Sequence, residues 1–119
     1  MTETKWPSGP VRMLLVDVDG TLTDGGLYYS AEGLALIPPY PTEKVVDPTG
    51  CGDSFAGAIM GYLAAQGRFD VPTLRSAMAR GSVVASFVVE SFSIDALCRV
   101  APADVEARLS TLREIVRFE

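Results

Sequence analysis

Hydrophobic and polar positions fall into two kinds of run along this chain. In the first part the apolar stretches are short. Val11 to Val18 (VRMLLVDV) is apolar and closed by Gly20, which predicts a buried strand. Between Gly26 and Val46 the pattern predicts a hairpin, with Tyr28 and Tyr29 in one arm, Ala31 to Gly33 in the turn and Leu34 to Ile37 in the other. Pro38, Pro39 and Pro41 then impose an extended connection that leads to the β-branched pair Val45-Val46. From residue 51 onward the spacing becomes helical. Cys51, Phe55, Ile59, Tyr62 and Leu63 share one face of a helix ended by Gly67. Asp70 ahead of Pro72 marks a second helix, with Leu74, Ala77, Met78, Gly81, Val84, Ala85 and Val88 on a broad apolar face. Pro102 opens a third, with Val105, Leu109, Leu112 and Val116 on one side and an expected Asp104–Arg108 pair on the other. The small residues Ala56, Gly57, Ala58 and Gly61 predict close packing of the first helix against a sheet or another helix. The expected architecture is a small α/β domain: a few strands and a β-hairpin covered by three C-terminal helices.

Composition narrows the chemistry. A length of 119 residues suits one domain, expected over residues 11–119 behind a frayed, disordered leader at residues 1–10. The net charge of −5 offers no basic footprint, so nucleic acid is not an expected partner. No apolar run approaches the roughly 18 residues of a membrane span, and Met1 to Pro10 has no signal-peptide core. Two cysteines make no disulfide framework, and a cytoplasmic setting is expected. The chain has no histidine, which removes Ser–His–Asp and Cys–His catalysis and His-ligated zinc. Acid–base work must rest on carboxylates, and the expected metal is a hard cation, magnesium first.

The most informative stretch is VVDPTGCGDSFAG, residues 45–57. Gly50 and Gly52 allow a tight turn with N–H groups near a ligand, at a helix start whose dipole favours anions. Asp53 puts a carboxylate beside that cradle, so positioning of a phosphoryl group and a base for an attacking hydroxyl come together. The plainer reading is a glycine-rich turn whose acid caps the helix.

Residues 47–63, DPTGCGDSFAGAIMGYL, resemble the C-terminal signature of the ribokinase/PfkB family of carbohydrate kinases. The Pro-containing lead LIPPYPTEKVV is also similar, so the resemblance runs from about Leu36 to Glu119. It implies a small ribokinase-like (Rossmann-like) fragment that transfers a phosphoryl group from ATP, with Mg²⁺, to a sugar hydroxyl. By that resemblance Asp53 is the catalytic base, and the backbone of Gly50, Cys51 and Gly52 is an anion hole. Thr49, Gly50 and Gly52 would contact the nucleotide. A whole family member is much longer and takes its sugar site from a part absent here, so a truncated module without turnover is also expected. The run ARGSVVASFVVESF resembles the helix beside the family's adenine pocket.

Residues 17–24, DVDGTLTD, continuing to Gly33, resemble the first motif of haloacid dehalogenase-superfamily phosphatases of the 3-deoxy-octulosonate 8-phosphate phosphatase type. That resemblance implies Asp17 as nucleophile, Asp19 as general acid/base, and both as holders of Mg²⁺. Two carboxylates two positions apart on a strand point to one side, and a carboxylate can attack a phosphoryl group. The remaining superfamily motifs do not follow. Three functions therefore stand side by side: a sugar-kinase-like module, a magnesium-dependent phosphatase, and a non-catalytic, self-associating α/β fragment or chimera. The expected partners are a nucleotide, a small sugar or sugar phosphate, and a second copy of the chain in a homodimer.

Overall fold

The computed structural model describes residues 28–30, 33–35 and 37–117. The leader, the Val11 to Val18 run, Asp17 and Asp19 lie outside the described residues. Two short strands, β1 (Tyr28–Ser30) and β2 (Gly33–Ala35), pair antiparallel, with Tyr28 opposite Ala35 and Ser30 opposite Gly33. The pairing lies in the stretch read as a hairpin, but each arm has only three residues, Gly33 belongs to a strand and not to the turn, and Ile37 lies beyond the second arm. Three helices follow: α1 (Cys51–Gln66), α2 (Val71–Val89) and α3 (Pro102–Ile115), with a single 3-10 turn at Leu97–Arg99 between the last two.

The expected α/β class is corrected. Among the described residues the structure is helical, and the hairpin is no sheet on which the helices could be layered. Val45 and Val46 show why. They are extended but exposed (67% and 52%), and the N–H groups of Val46 and Asp47 both donate to the Val89 carbonyl, at 2.8 and 3.2 Å, instead of joining a ladder. Among the described residues the buried apolar side chains of the helices pack mainly against one another.

Helix α2 is the centre of this arrangement, contacting α1, α3, β2 and the 3-10 turn. Asp70 caps it by accepting from the Thr73 N–H at 2.8 Å, with Pro72 in the first turn, where its missing N–H costs nothing. One side packs on α1 through Ile59, Leu63, Ala77 and Met78. The other packs on α3 through Val83, Leu109 and Leu112. Because two helices flank α2, its buried set includes Ser82, Val83 and Ser86 beyond the single face the spacing predicts. Ile37, just after the hairpin, touches both clusters and ties the proline-rich connection to them.

The close approach of α1 and α2 falls at Gly81, not at the small residues of α1. A Cβ on Gly81 would lie 2.8 Å from Phe55 Cδ2 and 3.0 Å from the Phe55 carbonyl oxygen. Gly57 and Gly61 are exposed and face open space. On α3, Leu109 and Leu112 are buried as the spacing predicts, whereas Val116 is exposed. The expected Asp104–Arg108 pair is replaced by other contacts. Asp104 accepts from the Ala101 N–H at 2.8 Å, which satisfies one orphan donor at the helix start. Arg108 turns instead to α2.

Candidate functional site at the start of helix α1

The site begins with the turn at residues 47–50. Asp47 Oδ1 accepts from the Thr49 N–H at 3.0 Å, a local turn that an Asp side chain forms readily. The Thr49 hydroxyl and N–H hold the Asp47 carboxyl below the usual carboxylate range. Gly50 follows in the left-handed region (φ 85°, ψ −2°), where a side chain would be strained, and it turns the chain into α1. The Cys51 N–H then donates to the Pro48 carbonyl at 3.1 Å and the Ser54 N–H to the Gly50 carbonyl at 3.0 Å. That leaves the N–H groups of Gly52 and Asp53 in the first turn with no acceptor among the described residues. Such groups, at the positive end of the helix dipole, suit an anion.

Each residue predicted for the kinase-like site can be placed. Thr49 is exposed at the turn, and Gly50 and Gly52 are half-buried. Asp53 stands in the first turn of α1 with its side chain exposed. Cys51 points inward, its thiol donating to the Ala85 carbonyl of α2 at 3.6 Å. Its side chain therefore packs against α2, and its N–H is taken by the Pro48 carbonyl, so the open first-turn donors are those of Gly52 and Asp53. Cys51 and Cys98 form no disulfide. Asp17 and Asp19 fall outside the described residues.

The donor set fits a phosphate: two first-turn N–H groups and a glycine turn that lets a ligand approach closely. It does not supply a protein cage for a metal. Among the described residues no three or more acidic or cysteine side chains gather closely enough to hold an ion.

Sequence reasoning did not find the contacts that hold this turn in place. The Val46 and Asp47 N–H groups bind the Val89 carbonyl at the end of α2. The next residue, Glu90, accepts from Thr42 Oγ1 at 2.6 Å and from Arg108 Nη2 at 2.8 Å. Burial pushes the Glu90 carboxyl up, but the hydrogen bonds from Arg108 and Thr42 outweigh it and hold it below its ordinary value. Nothing in the spacing marks these residues as partners, because they lie far apart in the chain.

Among the described residues, no helix is long and apolar enough to cross a membrane. Residues 21–98 match the pfkB family carbohydrate kinase family. Over 80 residues the chain is 35% identical to the bifunctional ribokinase/ribose-5-phosphate isomerase A of Fructilactobacillus sanfranciscensis, covering 67% of this chain and 13% of that protein. Over 85 residues it is 36% identical to an uncharacterized sugar kinase, YegV, of Escherichia coli strain K12, covering 71% of this chain and 24% of that protein. The chain thus spans less than a quarter of the length of either relative. The match begins at residue 21, inside the stretch that resembles a phosphatase motif, and these comparisons give the phosphatase resemblance no support. With the family match covering well over half of its residues, the chain belongs to the pfkB family of carbohydrate kinases.

Proposed function

We propose that the start of α1 is the phosphoryl-binding and proton-accepting part of a sugar kinase. One observation carries this reading: Gly50, in the left-handed region, presents the N–H groups of Gly52 and Asp53, which have no acceptor among the described residues, beside the exposed Asp53 carboxylate. The family supports ATP as phosphoryl donor and a small sugar as acceptor. In this reading Asp53 accepts the proton of the sugar hydroxyl as its oxygen bonds to the terminal phosphorus of ATP. The bond to the ADP oxygen breaks and its electron pair leaves with ADP. The Gly52 and Asp53 N–H groups hold the charge on the transferring phosphoryl oxygens, an electrostatic service that needs no rearrangement during the step. Thr49 and Gly50 border the same phosphates. Magnesium, where bound, neutralises phosphate charge. In this reading it is carried on the nucleotide, as its preference for phosphate oxygens and retained waters allows.

Whether the chain turns over or only binds phosphate is decided by measurement. ATP with magnesium and a panel of pentoses and hexoses should give ADP formation that depends on the sugar. Asp53→Asn should abolish it while the melting temperature stays close to that of the parent, because the side chain is exposed. Phosphate binding without ADP formation would reduce the reading to a binding module. Full activity in Asp53→Asn would remove the base assignment.

A further inference from the structure

We infer that Arg108, on α3, is a positioning residue for the anion-binding turn; this rests on the reading of that turn given above. Arg108 lies 58 positions from Gly50 by residue number and is not part of the signature. Its guanidinium reaches two parts of the fold at once, the end of α2 and the connection that precedes α1. Nη1 donates to Ser86 Oγ at 2.7 Å and Nη2 to Glu90 Oε2 at 2.8 Å. The same group stacks on the Phe87 ring, 3.7 Å from its centroid, and lies 5.0 Å from the centroid of Tyr40. Glu90 in turn accepts from Thr42, and Val89 next to it receives both N–H groups of Val46 and Asp47. The Tyr40 N–H donates to Ser82 Oγ at 2.7 Å. Residues 40–47 are thus fastened to α2 at three places, Tyr40 at Ser82, Thr42 at Glu90, and Val46 with Asp47 at Val89, and Arg108 touches the first two through Tyr40 and Glu90.

The consequence for the site follows from chain continuity. Asp47 sets the turn that delivers Gly50, so a shift of Val46 and Asp47 on the Val89 carbonyl moves the first-turn N–H groups of α1. A planar fork is needed to bind Ser86 and Glu90 together while lying flat on Phe87, and a lysine cannot do all three. The segment between Pro41 and Pro48 is held by few apolar contacts, since Val45 and Val46 are exposed, so its order depends on these polar anchors.

The test uses the full chain with Arg108→Lys and, as a second variant that keeps size and shape, Glu90→Gln. Amide hydrogen exchange and binding of inorganic phosphate are measured well below the melting temperature. The expected result is exchange at Val46 and Asp47 faster by on the order of tenfold, with Val83 in the middle of α2 unchanged. Phosphate should bind at least about threefold more weakly, a modest indirect effect. Unchanged exchange at Val46 and Asp47, or equal acceleration of Val83, would overturn the inference, because Arg108 would then do nothing local or only stabilise the whole fold. Unaltered phosphate affinity in a variant whose Val46 and Asp47 are loosened would overturn the positioning role and leave the anion site standing. A parent chain that binds no phosphate would overturn the anion site itself.

Discussion

The middle and the beginning of helix α1 are held by different physics. In the middle, Ile59 and Leu63 are each 1% exposed and pack on Ala77 and Met78 of α2. At the beginning, Asp53 is exposed, the turn is shaped by Gly50 and Asp47, and its attachment to α2 is a set of hydrogen bonds centred on Val89 and Glu90. Apolar packing is non-directional and scales with the area buried. It makes the α1–α2 pair stable without fixing any one backbone N–H to within a fraction of an ångström. Polar anchors add less stability each but set direction. The difference teaches that the stability of this fold and the aim of its candidate site can be altered separately.

The largest loss of stability is expected in the middle of α1. Leu63→Ala should cost about 2–5 kcal/mol, the range for emptying a packed leucine site, read as a lower urea midpoint. Met60→Ala, one turn away on the exposed side of α1, should change stability by about 0.5 kcal/mol or less. Equal effects at the two positions would mean that α1 is not packed on one face. Gly81→Val comes next: its side chain must displace Phe55, ring and carbonyl alike, with an expected cost of about 1–3 kcal/mol for overpacking.

The remaining changes act on the beginnings of helices. Gly50→Ala forces a side chain into the left-handed region, at about 1–2 kcal/mol, although open space surrounds the position. It should also weaken phosphate binding by more than that loss of stability alone can explain. A variant that keeps parental affinity would show that the turn does not aim the N–H groups. The smallest effect is a pH dependence at the start of α2. The Thr73 hydroxyl and N–H, with Arg68, lower the Asp70 carboxyl to about 2. A carboxyl lowered on folding stabilises above its unfolded value, near 3.9, and loses that contribution as the pH falls toward 2. The melting temperature of the parent should therefore fall more between pH 4 and 2 than that of Asp70→Asn. Parallel curves would mean that Asp70 contributes nothing through its charge.

Much of the helical part was legible because its signals are local. The repeat of Phe55, Ile59 and Leu63, the cap at Asp70 and the prolines at 72 and 102 each mark an element within a few residues. The pairing of Tyr28 with Ala35 falls in the stretch read as a hairpin, but the turn and the second arm were misplaced, since Gly33 is in a strand and Ile37 is not. The expected sheet is not found among the described residues, and the Val11 to Val18 run lies outside them. Val45-Val46 has a strand's composition, yet its backbone hydrogen bonds go to a helix end, and composition does not say where an N–H will find its acceptor. The small residues of α1 misled in a similar way. They permit close approach, but the neighbour came to Gly81, on the other helix. Arg108 was read as half of an i,i+4 pair, whereas it bonds across to α2. In the candidate site the motif was readable, since DPTGCGD carries its turn chemistry in order. Its supports were not, because Thr42, Glu90 and Arg108 come together only in the folded chain.

In the proposed site, the first turn of α1 binds a phosphate through the Gly52 and Asp53 N–H groups. The most direct measurement is a backbone NMR titration of the full chain with inorganic phosphate and with ADP. The amides of Gly52 and Asp53 are predicted to shift the most and to saturate, with Gly50→Ala weakening the response. Saturating shifts centred elsewhere, or none at Gly52 and Asp53, would contradict it.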